Sequence, residues 1–115
     1  MKSINVRLRI YVDAQLIVGP GRIELLERIE RTGSLASAAR EMDMSYRRAW
    51  LLMRSLNEAL QQPALVSLKG GRNGGGASVT PTGRSLVRAY RRTEADCLRR
   101  VRRSLGKFAR GARGA

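Results

Sequence analysis

Residues 34–61 carry two helical stripes separated by a very short break. Leu35, Ala38, Ala39 and Met42 recur at i, i+3, i+4 and i+7. After the three-residue turn Asp43-Met44-Ser45 the pattern resumes with Ala49, Met53, Leu56 and Leu60. The first helix, from Ser34 to about Met42, is short and rich in small side chains, which let two helix backbones approach closely. The second runs from about Tyr46 to Gln61, and Trp50 and Leu52 widen its stripe. Such a stripe ordinarily faces a core, and Trp50, sharing the side of Met53, is expected there.

The flanking segments fix the arrangement further. Ile4, Val6, Leu8, Ile10 and Val12 alternate with Asn5, Arg7, Arg9 and Tyr11, which predicts a strand over residues 4–12 with one buried face. Gly19-Pro20-Gly21 ends that region and starts a helix with Ile23, Leu26 and Ile29 inward and Glu24, Glu27 and Glu30 outward. Gly33 is suited to close this helix in the left-handed conformation, and Ser34 to cap the next. Beyond Pro63, Leu65–Leu68 and Ala77–Thr80 flank a glycine-rich turn and read as a β-hairpin. Thr82 then offers a cap for a last helix from about Gly83 to Phe108, followed by a basic tail, residues 109–115.

Strand, helix, short helix, turn, longer helix, hairpin and helix is the order of a winged helix-turn-helix. The fold class expected is mainly α with a small β component, with an N-terminal strand and a long C-terminal helix. One domain over residues 1–108 accounts for the length, with the recognition helix at about 45–61, the wing at about 65–80 and the C-terminal helix at about 83–108.

Charge narrows the function. The chain has no His, one Cys and a formal charge of +14. Residues 1–63 hold ten Lys and Arg against seven acids, and residues 64–115 hold thirteen against two. A polyanion is the expected partner, nucleic acid first. The usual acid–base, Cys–His and zinc chemistries lack their parts, and the acids show neither paired-carboxylate nor metal-ligand spacing, so no enzyme, metal or cofactor is expected. A lone thiol excludes a disulfide within the chain. With neither a signal pattern nor a membrane-spanning run, the expectation is a cytoplasmic protein with no membrane partner.

In a helix-turn-helix the second helix presents its first residues to base edges in the major groove. Here these are Ser45, Tyr46, Arg47 and Arg48, with Leu51, Arg54 and Ser55 further along the outer face. Arg47 or Arg48 suits a bidentate contact to guanine. In the wing, Lys69, Arg72 and Asn73 stand among glycines that let backbone amides and two cations come close to a phosphate. On the last helix Leu86, Tyr90, Thr93, Cys97, Val101, Leu105 and Phe108 recur at spacings of three and four, a seam that a second copy would cover. Folding back on its own domain is the other way to cover it. Arg84, Arg88, Arg91, Arg92, Arg99, Arg100, Arg102 and Arg103 line the opposite side.

Gly33-Ser34-Leu35-Ala36-Ser37-Ala38-Ala39, Met44-Ser45-Tyr46 with Ala49-Trp50, and Gly70-Gly71 through Gly74–Gly83 resemble the N-terminal DNA-binding domain of the ModE molybdate-responsive regulators, relatives of the LysR-type helix-turn-helix. The resemblance spans about residues 20–90. It implies a homodimeric transcription regulator on a palindromic operator of double-stranded DNA, with DNA contacts around Ser45–Arg48 and Lys69–Asn73. The family's two C-terminal molybdate-binding modules have no counterpart before Ala115, so no oxyanion-ligand residue carries over. Two other functions compete: a non-sequence-specific architectural DNA- or RNA-binding protein using the arginine-rich last helix, and a small-oxyanion sensor of the molybdate type.

Overall fold

The computed structural model describes residues 3–68 and 76–111. The elements are β1 (Ile10–Val12), β2 (Gln15–Val18), α1 (Pro20–Thr32), α2 (Leu35–Glu41), α3 (Tyr46–Ala59), β3 (Leu65–Leu68), β4 (Gly76–Val79) and α4 (Pro81–Ser104), then a 3₁₀ turn at Gly106–Phe108. This is a winged helix-turn-helix, mainly α, with two small antiparallel sheets, β1–β2 and β3–β4, and a long C-terminal helix.

Local chemistry sets the helix boundaries. Pro20 occupies the first turn of α1, where its missing N–H costs nothing. Gly33 ends α1 at φ 71°, a left-handed position that favours glycine, and its N–H donates to Ile29 O. The Ser34 hydroxyl accepts from Ser37 N and opens α2. Asp43 takes φ 54° in the turn, and Ser45 accepts from Arg48 N to open α3.

The core is a layer of α1, α2 and α3 closed by the hairpin. Leu25, Leu26 and Ile29 meet Leu35, Ala38 and Ala39, then Ala49, Met53 and Leu56, with Ala64, Ala77 and Val79 beneath. Each large buried aliphatic contributes about 1.5–3 kcal/mol. The hairpin register pairs Leu65 with Val79 and Ser67 with Ala77. Gly76 also bridges to Ser34, so the start of α2 is stitched to β4. Asn57 fixes the other end of the hairpin: its Oδ1 accepts from Ala64 N (2.8 Å) and Leu65 N (3.3 Å), and its Nδ2 donates to Leu65 O (2.9 Å).

The structure corrects the sequence reading at several points. Only Ile10–Val12 of the expected strand 4–12 is in a ladder, and its partner β2 was not anticipated. Ile10 and Val12 are exposed, whereas Ile4, Val6 and Leu8 keep the expected half-burial without pairing. Asp13 at φ 55° makes the β1–β2 turn, so no glycine marked it. Leu25, absent from the expected stripe, is fully buried. Helix α3 ends at Ala59, two residues early. Thr80, not Thr82, caps α4: its hydroxyl accepts from Gly83 N (3.0 Å) and donates to Pro63 O (2.6 Å), and Pro81 follows as the first helical residue. Trp50 is not in the core; it is 42% exposed. Tyr90, a residue of the expected α4 seam, is buried with Val18 and Ile23, and Leu86 packs on the same cluster, so these two of the seven seam positions are covered by the chain itself.

Two contacts hold α4. A Cβ on Gly83 would overlap the Ala64 carbonyl oxygen and stand 2.7 Å from Val79 Cγ1, so the α4 backbone rests directly on the hairpin. The Tyr90 hydroxyl donates to Leu8 O (2.7 Å) and ties the N-terminal segment to α4. Burial, aided by the Glu94 charge, raises the Tyr90 pKa above the usual phenol value.

Gly83→Ala is expected to destabilise the domain by about 1–3 kcal/mol, seen as a lower denaturation midpoint, because the Ala64 carbonyl that the new methyl would meet is backbone and cannot rotate away. Tyr90→Phe should cost about 1 kcal/mol and increase amide exchange around Leu8. Because the folded pKa is raised, the tyrosine's contribution is complete below its unfolded value of about 10 and lost as pH rises through the folded one. Chemical denaturation at increasing alkaline pH should show that loss in the wild type and a flatter profile in Tyr90→Phe.

Candidate nucleic-acid interface

Ser45, Tyr46, Arg47 and Arg48 are all exposed at the start of α3. With Ala49, Met53 and Leu56 inward, a helical step of about 100° per residue sends Arg47, Leu51 and Arg54 outward. Arg47 and Arg48 have no ion pair among the described residues. The Ser45 hydroxyl is engaged as acceptor in the cap and keeps its proton for an outside acceptor. Arg54 is more constrained: Nε donates to Glu58 Oε1 (3.1 Å), and its guanidinium lies 5.3 Å from the Trp50 ring centroid.

Two flanks complete this face. On one side Arg22, from the first turn of α1, lines a depression of about 420 Å³ with Ser45, Arg47, Arg48, Leu51 and Leu52. Its Nη2 donates to Ser55 Oγ (3.3 Å), its Nε is buried without a hydrogen-bond partner among the described residues, and burial lowers its pKa. Sequence reasoning missed Arg22, because only the packing of α1 against α3 brings it there. On the other side a groove of about 340 Å³ runs between α3 and the hairpin, lined by Tyr46, Trp50, Met53, Arg54, Val66 and Ala77 among others. The expected wing contacts Lys69, Arg72 and Asn73 lie outside the described residues.

The acids of α1 and α2 are tied to arginines of α1 and α4. Glu24 and Glu41 hold Arg28 (2.7 and 3.1 Å), and Glu41 also pairs with Arg31. Glu27 and Glu94 hold Arg91 (2.7 and 2.8 Å), and Glu30 faces Arg84 (3.7 Å). Partial burial works to raise the Glu41 pKa, but hydrogen bonds from Arg31 and Arg28 outweigh it and keep the carboxyl below its usual value. The same kind of bonding, from Glu27 first, raises the Arg91 pKa. Glu58, paired with Arg54, is the exception on α3.

The remaining seam residues follow α4 away from the core. Cys97 and Val101 are half-buried, while Leu105 and Phe108 are 56% and 76% exposed. At about 1.5 Å per residue the 24 residues of α4 span about 36 Å, in a molecule 55 Å long. Among the described residues no group of three or more His, Cys, Asp or Glu is placed to hold a metal ion, and no helix is long and apolar enough to cross a membrane.

Residues 21–84 match the family model described as bacterial regulatory helix-turn-helix protein, lysR family. Similar proteins include the molybdenum-pterin-binding protein MopB of Rhodobacter capsulatus, 44% identical over 78 residues, covering 68% of this chain and 29% of that protein. The molybdenum transport protein ModE of Azotobacter vinelandii is 38% identical over 90 residues, covering 78% of this chain and 33% of its own. The DNA-binding transcriptional dual regulator ModE of Escherichia coli K12 is 31% identical over 86 residues, covering 75% and 33%. The chain thus aligns with about a third of the length of these relatives.

Proposed function

The chain belongs to the lysR family of bacterial regulatory helix-turn-helix proteins, and from that premise we propose that it is a sequence-specific DNA-binding transcription regulator acting as a homodimer on a palindromic operator. The observation that carries the reading is the exposed start of α3, where Arg47 and Arg48 project beside Arg22 without acidic partners among the described residues. With α3 in the major groove, Arg47 has the fork geometry to take guanine O6 and N7. The Ser45 hydroxyl, Arg48 and Arg22 suit the phosphates beside the groove, and the positive end of α3 adds to their attraction. The wing residues Lys69, Arg72 and Asn73 are assigned to flanking backbone.

The dimer reading is supported by Leu105 and Phe108, apolar and open to water at the end of α4, continuous with half-buried Val101 and Cys97. A two-fold dimer would match two half-sites about one helical turn apart. The names of MopB and of the Azotobacter vinelandii ModE tie those proteins to molybdenum, but nothing among the described residues of this chain marks an oxyanion site.

Selection from a random duplex pool should enrich a motif with two-fold symmetry. Arg47→Ala should relax the preference at one base pair, at a cost of about 1–3 kcal/mol. Arg22→Ala should instead weaken all sequences alike and reduce the salt slope by about one. Uniform loss in both variants would refute the base-reading role of Arg47. In sedimentation, Leu105→Ser with Phe108→Ser should turn a dimer into a monomer and weaken binding to two half-sites more than to one; a wild-type monomer on DNA and off it overturns the dimer.

A further inference from the structure

Trp50 is the sole tryptophan of the chain and stands beside fully buried Ala49, yet it is 42% exposed. Leu51 next to it is 46% exposed. Both lie within the first two turns of α3, the part of the helix that the reading above sends into the major groove. A large apolar area on an arginine-rich face is unfavourable in the free protein unless something covers it in the working state.

The chemistry around Trp50 says what could cover it. The Arg54 guanidinium stacks at 5.3 Å from the ring centroid and is itself held by Glu58. Asn57, the amide in the same groove, accepts twice through Oδ1 from Ala64 and Leu65 and spends one Nδ2 hydrogen on Leu65 O. Met53, Val66 and Ala77 supply an apolar lining. Beside the indole N–H, the Trp50 ring and this lining offer apolar contact. The major groove has one apolar feature to meet it, the C5 methyl group of thymine, which distinguishes A·T from T·A and from both G·C orientations.

We propose that Trp50, flanked by Leu51, is a specificity-determining residue that reads thymine methyl groups in the operator; this rests on α3 occupying the major groove. Arg47 and Trp50 would then divide the work. The arginine selects guanine by hydrogen bonds, and the indole selects thymine by burying a methyl group. The stacked Arg54 would set the ring orientation by restricting its rotamers.

The test uses the full chain and the duplex that it selects from a random pool. Each thymine is replaced singly by deoxyuridine, which lacks only the methyl group. At one or two positions the replacement should weaken wild-type binding about fourfold, the effect of leaving one methyl group unburied. Trp50→Ala should bind the thymine and deoxyuridine duplexes equally while keeping the wild-type salt slope. 5-Bromodeoxyuridine at the same positions, with bromine in place of the methyl, should quench the fluorescence of Trp50 in the wild-type complex, an arm that requires no folded variant. If no deoxyuridine position matters, if the penalty survives in Trp50→Ala, or if bromine leaves the fluorescence unchanged, the methyl-reading role is overturned and DNA binding stands. A pool with no enriched motif overturns the sequence-specific reading, and this one with it.

Discussion

Ala38 and Ala39 leave little more than backbone between α2 and its neighbours, and both are essentially without solvent contact. That close approach lets a seven-residue helix hold α1 and α3 together at once. Larger side chains there would push α3 outward and change which of its residues point away from the core. The turn after α2 depends on the same packing: Met44 N donates to Ala39 O (3.0 Å), and Asp43 takes a left-handed conformation to bring the chain round. The outward direction of Arg47, Trp50 and Leu51 is therefore a consequence of two methyl-sized side chains one element earlier.

Charge is distributed by the same packing. A formal excess of +14 would oppose folding if it were spread at random, through repulsion among the cations. Several of the acids are instead placed where helices meet. Glu27 of α1 holds Arg91 of α4, and Glu41 of α2 collects Arg28 and Arg31 of α1. These exposed or half-exposed pairs are individually weak in water. Their larger effect is positional, since each acid bound on the α1, α2 and α4 surfaces is unavailable to neutralise the first turn of α3. Asp13 and Asp43, which have no ion pair among the described residues, occupy left-handed turn positions that suit aspartate for local reasons.

What could be read from the sequence was local. Gly33, Ser34 and Ser45 act as the residue types at those positions suggest, because capping involves atoms within three or four residues. The stripes of α1, α2 and α3 were legible for the same reason. The β1–β2 hairpin was not, since its turn uses Asp13 in place of glycine, β1 is exposed throughout and β2 buries only Val18. Thr82 is the cap that the sequence suggests; Thr80 takes the position with its hydroxyl donating to Pro63 O, seventeen positions earlier in the chain. Trp50 sits at the margin of the α3 stripe, where size and apolarity argue for burial and only the position of the hairpin decides against it. Arg22 is further still from legibility, because nothing near it in sequence foretells Ser55.

Helix α4 joins these two scales. Its first half is part of the core, with Gly83 against the hairpin backbone and Tyr90 fastened to Leu8. Its second half carries Arg99, Arg100, Arg102 and Arg103 beside the exposed Leu105. In a dimer formed along that seam, apolar burial would draw two arginine-rich helices together against their own repulsion. Salt screens such repulsion over about 10 Å at 0.1 M, and it equally weakens attraction to phosphates. Association of the chains and association with DNA would therefore respond to salt in opposite directions. Bound DNA, as a polyanion near both helices, would relieve the repulsion that salt otherwise screens. In such a dimer the arginines of α4 would need no base contact to matter: they would couple dimer stability to occupancy of DNA, and the choice of sequence would stay with the few side chains that α2 holds outward on α3.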